Sequence, residues 1–551
     1  MVLQMKKVKA IPSIASTLLI PLIVVCDLSA ETARESTNIE QSAPLQAEAL
    51  VCAKESFSTL PDMRITSVSQ VTEPDPHCKI AGVIGTETNF ELLLPDDWNG
   101  KFVMGGGGGF VGSVVNTALG YGVLKKGFAT VGTDTGHQGS ALDASWALNN
   151  LERLVSFGHQ AVHRTAVTAK ALIADYYGRD SSRNLFFGCS RGGGQALMEA
   201  QRYPNDFDGI VAGAPAYNWT EELGGRNTWI NQVMFPSPAE LGVAMITPEA
   251  QELIGNAVMQ QCDRLDGLED GILNNPLACD FDVSGLACEA VEAGANCLSP
   301  PQLKAAQRVY DGFVLEGEQV VPGYPPGAEL GVGGWTRWIT GGFDVTDIDE
   351  FQRGVEPNPD YPDPETPSAH FAFGNGVMRY LVFHDPDWDY STYDFSTFRS
   401  DIAAVSSTLD ATDPNLDAFR AQGGKLLIFN GWRDMALTPL GTIKYYEEVI
   451  DHDATAADDV RLIMVPGMDH CIGGPGATFV NWIDEIDKWV ETDKAPDQVT
   501  AYWIDEQMQP DGSRLSCAYP QYAKYNGERN PRDASSFSCV AGVKSFNLHP
   551  S

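Results

Sequence analysis

Five residues, Gly188-Cys189-Ser190-Arg191-Gly192, lie where an apolar run at residues 184–187 meets a helix-like segment at residues 194–202. A glycine-x-serine-x-glycine pattern at a sharp turn from a strand into a helix is typical of a nucleophile elbow, which holds a serine hydroxyl clear of the sheet. The flanking glycines are needed because the turn strains the backbone and leaves little space for a Cβ atom. The pattern therefore makes Ser190 a candidate nucleophile.

The pattern alone is weak evidence, because an ordinary loop is a reasonable alternative in a chain with 54 glycines. The next apolar run, at residues 209–215, reads as a buried parallel strand that ends in small residues. The elbow then lies inside a strand, turn, helix, strand unit. We therefore predict an α/β class protein with an α/β-hydrolase fold and a mainly parallel central sheet.

The composition is that of a large, acidic protein. With 551 residues, 43% of them hydrophobic, the chain can bury an extensive core, either as one big domain with an insertion or as two domains. Its formal net charge of -36 would repel nucleic acid and anionic membrane surfaces, and no basic patch offsets that charge. We therefore expect no nucleic-acid partner, while the acidity says little about a substrate.

Residues 1–30 have the three parts of a secretory signal peptide: basic residues from Lys6 to Lys9, an apolar run to about Val25, and the small pair Ser29-Ala30. The apolar run is short for a membrane span and no basic stop-transfer segment follows it, so we expect cleavage and no integral membrane span. Loss of Cys26 with the signal leaves ten of the 11 cysteines, an even number that fits a secreted or periplasmic protein.

Residues 105–109 are five consecutive glycines that follow a predicted strand. A phosphate-binding loop is one interpretation, but no Gly-Lys-Ser/Thr follows and no acidic ribose partner is evident. The more specific interpretation is the α/β-hydrolase loop that supplies a backbone N–H group to the oxyanion hole, where glycine lets the substrate approach closely. We assign that donor to Gly108, with Gly107 as a close alternative, and the second donor to the N–H of Arg191.

Two later strand ends supply a candidate acid and a candidate base. Asp434 follows the apolar run at residues 425–430, and His470 follows the apolar run at residues 460–465. Serine, acid and histidine occur in this order along the chain of α/β-hydrolases. We therefore predict that Asp434 orients His470 and that His470 activates Ser190.

Three further side chains near these positions need an interpretation. His137 precedes the serine in the chain, which is the wrong order for the base, so we expect a structural or substrate-contacting role. Asp469 is adjacent to His470 and poorly placed to orient its imidazole, so we expect it to be structural. The side chain of Arg191 either favours an anionic or phenolic acyl group or forms a surface salt bridge.

Two cysteines lie beside the candidate catalytic residues. Cys189 precedes Ser190, and Cys471 follows His470. A disulfide between them would hold their Cα atoms about 5.5 to 6 Å apart and make the serine and the histidine neighbours. A disulfide that only stabilises the fold is the alternative interpretation. However, both cysteines adjoin residues that were identified as catalytic candidates on independent grounds.

The tannase and feruloyl esterase family has a CS-D-HC pattern, and this chain resembles it at Gly188-Cys189-Ser190, Asp434 and His470-Cys471. The likeness extends over most of the mature chain, including residues 133–137, 200–215, 466–476 and 517–539. Mono(2-hydroxyethyl) terephthalate hydrolases belong to the same family. The resemblance implies an α/β-hydrolase with a lid domain inserted between the nucleophile and the acid.

The resemblance and the composition together predict the domain organisation. Polar residues 31–50 are expected to be a disordered lead-in. Residues 51–219 and 411–551 are expected to form the two parts of the hydrolase domain. Residues 220–410, where glycine, proline and aromatic residues are dense, are expected to form the lid.

An acidic loop lies within the predicted lid, with carboxylates at Asp263, Asp266 and Asp270 and glycines between them. Such a loop can wrap a hard cation with oxygen ligands, although the spacing is not that of an EF-hand and a solvated acidic turn is an equal alternative. The family carries calcium in the matching loop. The resemblance therefore implies a structural Ca²⁺ and adds the carbonyls of Leu268 and Ile272 as ligands.

The remaining cysteines are expected to pair over short stretches of chain. Cys52 and Cys78 bracket a short segment. Connectivity cannot be deduced from the count alone. Short spacing together with the resemblance implies Cys262 with Cys279, Cys288 with Cys297, and Cys517 with Cys539.

We therefore predict a serine carboxylesterase that cleaves esters of aromatic acids, of the feruloyl or galloyl type, through an acyl-enzyme. These small esters are candidates as free molecules or attached to plant polysaccharide or polyphenol, and the oligomeric state is not indicated. A mono(2-hydroxyethyl) terephthalate-type hydrolase and an inactive calcium- or carbohydrate-binding protein are the alternatives. Two or three lid side chains should line the aryl slot, from a set of seven: Trp335, Arg337, Trp338, Phe371, Phe373, Met378 and Tyr380.

Overall fold

The computed structural model describes residues 51–289, 296–341, 367–505, 507–527 and 529–542. Its strands are β1 (Met63–Val71), β2 (His77–Ile84), β3 (Thr88–Pro95), β4 (Lys101–Gly105), β5 (Ala129–Thr133), β6 (Arg183–Cys189), β7 (Gly209–Gly213), β8 (Phe313–Leu315), β9 (Glu318–Val321), β10 (Lys425–Gly431), β11 (Val460–Val465), β12 (Gln498–Ile504), β13 (Pro510–Cys517), β14 (Gln521–Tyr525) and β15 (Phe537–Ala541). The predicted signal peptide and lead-in, residues 1–30 and 31–50, lie outside the described residues.

The described ranges also contain α-helices, which follow β5 and precede β12. They are α1 (Leu151–Val155), α2 (Ala161–Tyr177), α3 (Arg191–Arg202), α4 (Asn227–Met234), α5 (Pro248–Cys262), α6 (Pro300–Asp311), α7 (Ala369–Gly376), α8 (Phe398–Leu409), α9 (Asp417–Ala421), α10 (Pro439–His452) and α11 (Trp482–Thr492). Each helix in this part of the chain is too short or too polar to cross a bilayer.

Nine strands form the central sheet, in the order β1-β2-β3-β5-β4-β6-β7-β10-β11. The six strands from β5 to β11 in that order pair in parallel, and the three strands β1 to β3 add an antiparallel edge. This confirms the predicted α/β fold with a mainly parallel sheet.

The parallel strands are covered on both faces, which explains their almost uninterrupted apolar sequences. Alternate side chains enter different hydrophobic clusters: Phe186 and Ile210 pack on one face, whereas Phe187 and Val211 pack on the other. The carboxyl ends of parallel strands lie at one edge of a sheet. The loops that follow β4, β6, β10 and β11 therefore meet at that edge.

The chain between β7 and β10 forms α4 to α9 and the short hairpin β8–β9. Its apolar side chains pack against loops of the preceding part, so that Trp335 and Phe371 share one hydrophobic cluster with Phe110 and Trp146. The chain from Leu50 onward forms one compact unit. The predicted domain boundaries after residues 219 and 410 stay predictions.

Helix α3, which follows the elbow, is packed too closely against the sheet for ordinary side chains. A Cβ atom at Gly193 would lie 2.2 Å from the carbonyl oxygen of Gly213, and one at Gly194 would lie 1.9 Å from that of Ala216. Consecutive glycines weaken a helix by about 1 kcal/mol each relative to alanine. The glycines are therefore explained by close packing and not by helix propensity.

We expect Gly194→Ala to lower the free energy of unfolding by about 3 kcal/mol, because the added methyl group must displace backbone. Gly120→Ala is the matched control, since its Cβ would meet nothing within 4 Å, and it should change stability by less than about 0.5 kcal/mol. Denaturant unfolding of both variants measures the difference. Equal stability of the two variants would contradict the packing argument.

Candidate active site

Ser190 occupies the strained turn that the glycine-x-serine-x-glycine pattern predicts. Its backbone angles are φ 62° and ψ -122°, a region that non-glycine residues rarely adopt. The turn is held by a hydrogen bond from the Ser190 N–H to the carbonyl of Gly213 at 3.0 Å. A Cβ at Gly188 would lie 2.3 Å from the carbonyl oxygen of Gly192. The serine side chain is therefore presented, half-buried, at the start of α3.

Asp434 and His470 form a direct contact at the same edge of the sheet. The imidazole Nδ1 lies 2.9 Å from Asp434 Oδ2 and 3.1 Å from Oδ1. The carboxylate is fully buried, and its Oδ1 accepts the N–H groups of Ala436 at 2.9 Å and Leu437 at 3.1 Å. A proton held on Nδ1 by this carboxylate leaves Nε2 free to accept a proton.

A disulfide brings the serine and histidine loops together. Cys189 and Cys471 are bonded, with their Cα atoms 5.9 Å apart. Ser190 and Trp338 line one cavity, and the ring of Trp338 meets the His470 ring edge-on at 5.1 Å. No hydrogen bond joins Ser190 to His470 in the described part of the chain, a contact that often tightens only when substrate binds.

The glycine run lies against the start of α3, and its peptide groups differ in what they bind. Gly107 donates its N–H to Oε1 of Gln195 at 3.1 Å, and its carbonyl accepts the N–H of Gly192 at 2.8 Å. The N–H groups of Gly108 and Gly109 make no hydrogen bond to any described residue. The N–H of Arg191 is at the first position of a helix, where it has no intrahelical partner.

A narrow cavity opens beside Ser190. Two of the seven predicted lid residues, Trp338 and Phe373, line it, whereas Trp335 is buried in the surrounding cluster. Five further residues line the cavity and belong to no motif in the sequence: Ala216, Trp219, Leu223, Ala436 and Leu437. Their position in the chain was the available signal, because they follow the ends of β7 and β10. Strand β7 lies next to the elbow strand β6, and β10 lies next to β7.

The side chain of Arg191 is buried and forms no surface salt bridge. Its Nη2 donates to the carbonyls of Phe157 and Gly158, the latter at 3.0 Å. Its guanidinium carbon lies 4.2 Å from the ring centroid of Phe157 and 5.2 Å from that of Trp219. Arg191 therefore forms part of the cavity wall.

His137 has a structural environment. It is fully buried, its Nε2 is 2.9 Å from the carbonyl oxygen of Phe110, and its ring stacks on Trp146 at 3.7 Å. Burial lowers the pKa of this imidazole to about 4. These contacts favour the expected structural role over that of a base.

Asp469 pairs with a buried arginine and not with His470. Its Oδ1 lies 3.0 Å from Nε of Arg433, which also donates to the carbonyls of Gly327 and Leu330. Burial raises the pKa of the Asp469 carboxyl, and the Arg433 charge opposes that rise. The ion pair therefore connects the loop after β10, which carries Asp434, with the loop after β11, which carries His470. Through Arg433 it also connects both loops with the segment between β7 and β10.

The acidic loop is closed by hydrogen bonds from its own backbone. Asp263 accepts the N–H of Gly271 at 3.0 Å, and Asp266 accepts those of Leu268 at 3.1 Å and Asn274 at 2.8 Å. Asp263 and Asp266 are buried, and burial raises the pKa of Asp266 to about 6. Two buried carboxylates in one short loop are a donor set that suits a hard cation.

The third carboxylate of the loop and a nearby amide have different surroundings. Asp270 accepts the N–H of Ile272 at 3.2 Å and pairs with Arg514 of β13. The side-chain amide of Asn274 is buried and makes no hydrogen bond to any described residue. Asp263 and Asp266 thus fit a cation better than Asp270, whose second oxygen already meets a positive charge.

A separate group of possible metal ligands consists of one residue of α2, one residue of α3 and one residue that follows α3. The ligand atoms of His163, Glu199 and Asp206 lie within 4.8 Å of one another. The imidazole Nδ1 of His163 is 2.5 Å from Asp206, and the ammonium group of Lys170 is 3.2 Å from the same carboxylate. A cation of the protein itself therefore already faces this group.

All five predicted disulfides are formed. The Cα atoms are 5.5 Å apart in Cys52–Cys78, 5.4 Å in Cys262–Cys279, 4.8 Å in Cys288–Cys297 and 5.8 Å in Cys517–Cys539. Such bonds persist in oxidising compartments.

Comparison with known proteins agrees with this geometry. The family model for tannase and feruloyl esterase matches residues 69–540. The chain is 32% identical to the mono(2-hydroxyethyl) terephthalate hydrolase of Piscinibacter sakaiensis, over 84% of this chain and 85% of that protein. It is 31% identical to an uncharacterised esterase of Xanthomonas campestris pv. campestris, over 89% of this chain and 91% of that protein.

A solved structure supports the same relationship. The crystal structure of feruloyl esterase B from Aspergillus oryzae superposes with a TM-score of 0.75 and 26% identity, covering 89% of this chain and 99% of that one. The family match, the relatives and the shared fold lead to one conclusion. This chain belongs to the tannase and feruloyl esterase family and is a carboxylic ester hydrolase.

Proposed function

We propose that this chain is an exported serine esterase that cleaves esters of aromatic acids, of the feruloyl or galloyl type, through an acyl-enzyme. The observation that supports the proposal is the contact between buried Asp434 and His470, which a disulfide holds next to the strained Ser190 turn. A protein that had lost catalysis would have no need to keep this arrangement. The inactive binding protein is therefore the weaker alternative.

The proposed reaction follows from the roles of three side chains. Ser190 Oγ attacks the ester carbonyl while His470 Nε2 takes the hydroxyl proton. Asp434 stabilises the imidazolium that forms, and the imidazolium returns the proton to the leaving alcohol. Water then enters, loses a proton to His470 and releases the aromatic acid by the same steps.

The oxyanion hole is proposed at the N–H groups of Gly108 and Arg191. Both are without a partner in the described ranges, whereas the alternative donor, Gly107, is occupied by Gln195. Gln195 lies on α3 and fixes the glycine run relative to the nucleophile. A donor placed in this way stabilises the oxyanion by about 3 kcal/mol in other hydrolases.

The shape of the cavity supports an aromatic acyl group. Trp219, Trp338 and Phe373 give it flat apolar walls. Feruloyl esters on plant polysaccharide and galloyl esters of polyphenols are the primary substrates that we propose. Terephthalate monoesters are the second candidate, which the relative from Piscinibacter sakaiensis supports.

A structural Ca²⁺ is proposed in the acidic loop. Asp263 and Asp266 would supply carboxylate oxygens, Asp270 would add its Oδ1, which does not meet Arg514, and Leu268 and Ile272 would supply carbonyl oxygens. The ion would neutralise the clustered charge of the loop and hold its conformation. We assign it no part in the reaction.

Export is proposed from two features. Residues 1–30 have the pattern of a signal peptide. The five disulfides are typical of a protein that matures in an oxidising compartment.

Replacement of Ser190 by alanine should abolish hydrolysis of methyl ferulate and methyl gallate while leaving the unfolding temperature nearly unchanged. The same change should prevent covalent labelling by a fluorophosphonate probe, because only an activated serine reacts with it. Steady-state kinetics and mass spectrometry of the labelled peptide provide the measurements. Full activity in the alanine variant would refute the proposal that Ser190 is the nucleophile.

Two neighbouring aspartates should respond differently to the same substitution. Asp434→Asn should lower kcat by about 10³- to 10⁴-fold, because the amide favours the wrong imidazole tautomer. Asp469→Asn should chiefly lower stability, by about 3 kcal/mol, because it leaves Arg433 buried without a charged partner. A larger kcat loss in the Asp469 variant would reverse the two roles.

Removal of calcium should lower the unfolding temperature, since a bound ion stabilises only the folded state. EDTA treatment followed by addition of CaCl₂ tests this, with MgCl₂ as the control ion. In the Asp266→Asn variant, added CaCl₂ should have a much smaller effect. If neither EDTA nor added calcium changes the unfolding temperature, the proposed calcium site is refuted.

A further inference from the structure

The loop that follows β10 is hydrogen-bonded to the insertion, which is the chain between β7 and β10. The carbonyl of Met435 accepts Nε2 of His370 at 2.7 Å. The N–H of Thr438 donates to Oε1 of Glu222 at 2.8 Å, and its hydroxyl donates to the carbonyl of Gly323 at 2.5 Å. The insertion therefore holds this loop near its start and at its end.

The middle of the same loop bonds in two directions. The carbonyl of Ala436 accepts Nη2 of Arg226 at 3.3 Å and the hydroxyl of Tyr324 at 3.4 Å, both from the insertion. The N–H groups of Ala436 and Leu437 instead donate to Oδ1 of Asp434, at 2.9 and 3.1 Å. A shift of the loop against the insertion would consequently move the donors that orient this carboxylate.

The side chains that reach the loop are themselves fixed. Glu222, Arg226 and His370 are 2%, 0% and 1% exposed, and Oε1 of Glu222 also accepts Nη1 of Arg226 at 2.9 Å. Burial lowers the pKa of His370 well below its usual range, so the imidazole is neutral and its single N–H points at Met435. The described residues that line the cavity beside Ser190 include none of these three.

The position of the acid depends on more than the strand that precedes it. The end of β10 determines where the loop begins, whereas the direction of a loop is determined by the hydrogen bonds of its peptide groups. A catalytic side chain has to be held within about 0.5 Å of its productive position by such supporting bonds. A displacement of about 1 Å can cost about 100-fold in rate.

We propose that Glu222, Arg226 and His370 are positioning residues, which hold Asp434 against His470 through the peptide groups of the loop after β10. The inference rests on the proposed function, because it takes Asp434 as the acid of the reaction. The insertion then affects the chemical step through the acid, in addition to forming part of the cavity wall.

The test measures one substitution in two backgrounds, with 4-nitrophenyl acetate as substrate, because its small acyl group makes few demands on the cavity. We expect Glu222→Met to lower kcat by about 30-fold in the wild-type background, since Thr438 loses its acceptor and the loop is released. In the Asp434→Asn background, the same change should lower kcat by less than about 3-fold, because residues that act as a unit are not additive. Equal factors in the two backgrounds would overturn the inference.

Two further variants separate positioning from general stability, at a temperature where circular dichroism shows each variant to be folded. Glu222→Gln keeps an acceptor oxygen for Thr438 and should restore kcat to within about 3-fold of the wild type. Gln232→Met is the matched control, because Gln232 donates to the carbonyls of Tyr390 and Tyr393 inside the insertion, at 3.0 and 2.9 Å. A loss of kcat in this control as large as in Glu222→Met would refute the positioning role.

Loss of Glu222 alone leaves Arg226 buried without its charged partner, which can prevent folding. The double change Glu222→Met with Arg226→Met removes both charges together and should give a folded protein with the same loss of kcat of about 30-fold. His370→Phe keeps a ring and removes the N–H that Met435 accepts, and we expect a loss of about 10-fold. Wild-type kcat in both of these proteins would overturn the inference.

The same measurements distinguish failure of this inference from failure of the proposed function. If Asp434→Asn keeps the wild-type kcat, Asp434 is not the acid, and the proposed mechanism and the inference fall together. If Asp434→Asn loses activity while Glu222→Met and His370→Phe retain it, the proposed function stands and only the inference fails.

Discussion

The disulfide between Cys189 and Cys471 is the constraint on which the rest of the site depends. It crosses 282 residues of sequence and joins the turn that carries Ser190 to the loop that carries His470. Parallel strands bring these loops to one edge of the sheet, but the sheet alone leaves each loop free to move. The bond therefore fixes the serine turn and the histidine loop next to each other, which the fold alone makes only possible.

The inserted segment helps to build this site. Arg433, next to the proposed acid, is anchored both to Asp469 and to the carbonyls of Gly327 and Leu330 in the insertion. A second buried pair, Glu222 with Arg226, reaches the same loop, because Glu222 accepts the N–H of Thr438 at 2.8 Å. Loss of packing in the insertion would consequently disturb Asp434 as well as the cavity beside Ser190.

The strained Ser190 turn, the contact between Asp434 and His470 and the five disulfides could be predicted, because each depends on local sequence at a strand end or on cysteine position. The residues that form the cavity walls could not be predicted from the sequence. Trp219 and Leu437 are more than 200 residues apart in the chain, and no local sequence pattern indicates that they line the same cavity. Arg191 was equally consistent with a surface ion pair, because the direction of its side chain is set by Phe157, which belongs to another helical segment.

The assignment of Gly108 as a donor could not be made from the sequence of the glycine run alone. Five identical residues in a row offer no sequence signal for choosing one of them. The choice depends on which peptide groups are already occupied, and Gln195, almost 90 residues later in the chain, occupies Gly107. The nucleophile helix therefore does more than present Ser190: its first N–H is a proposed donor, its glycines admit the neighbouring loop, and its glutamine determines which other donor is left free.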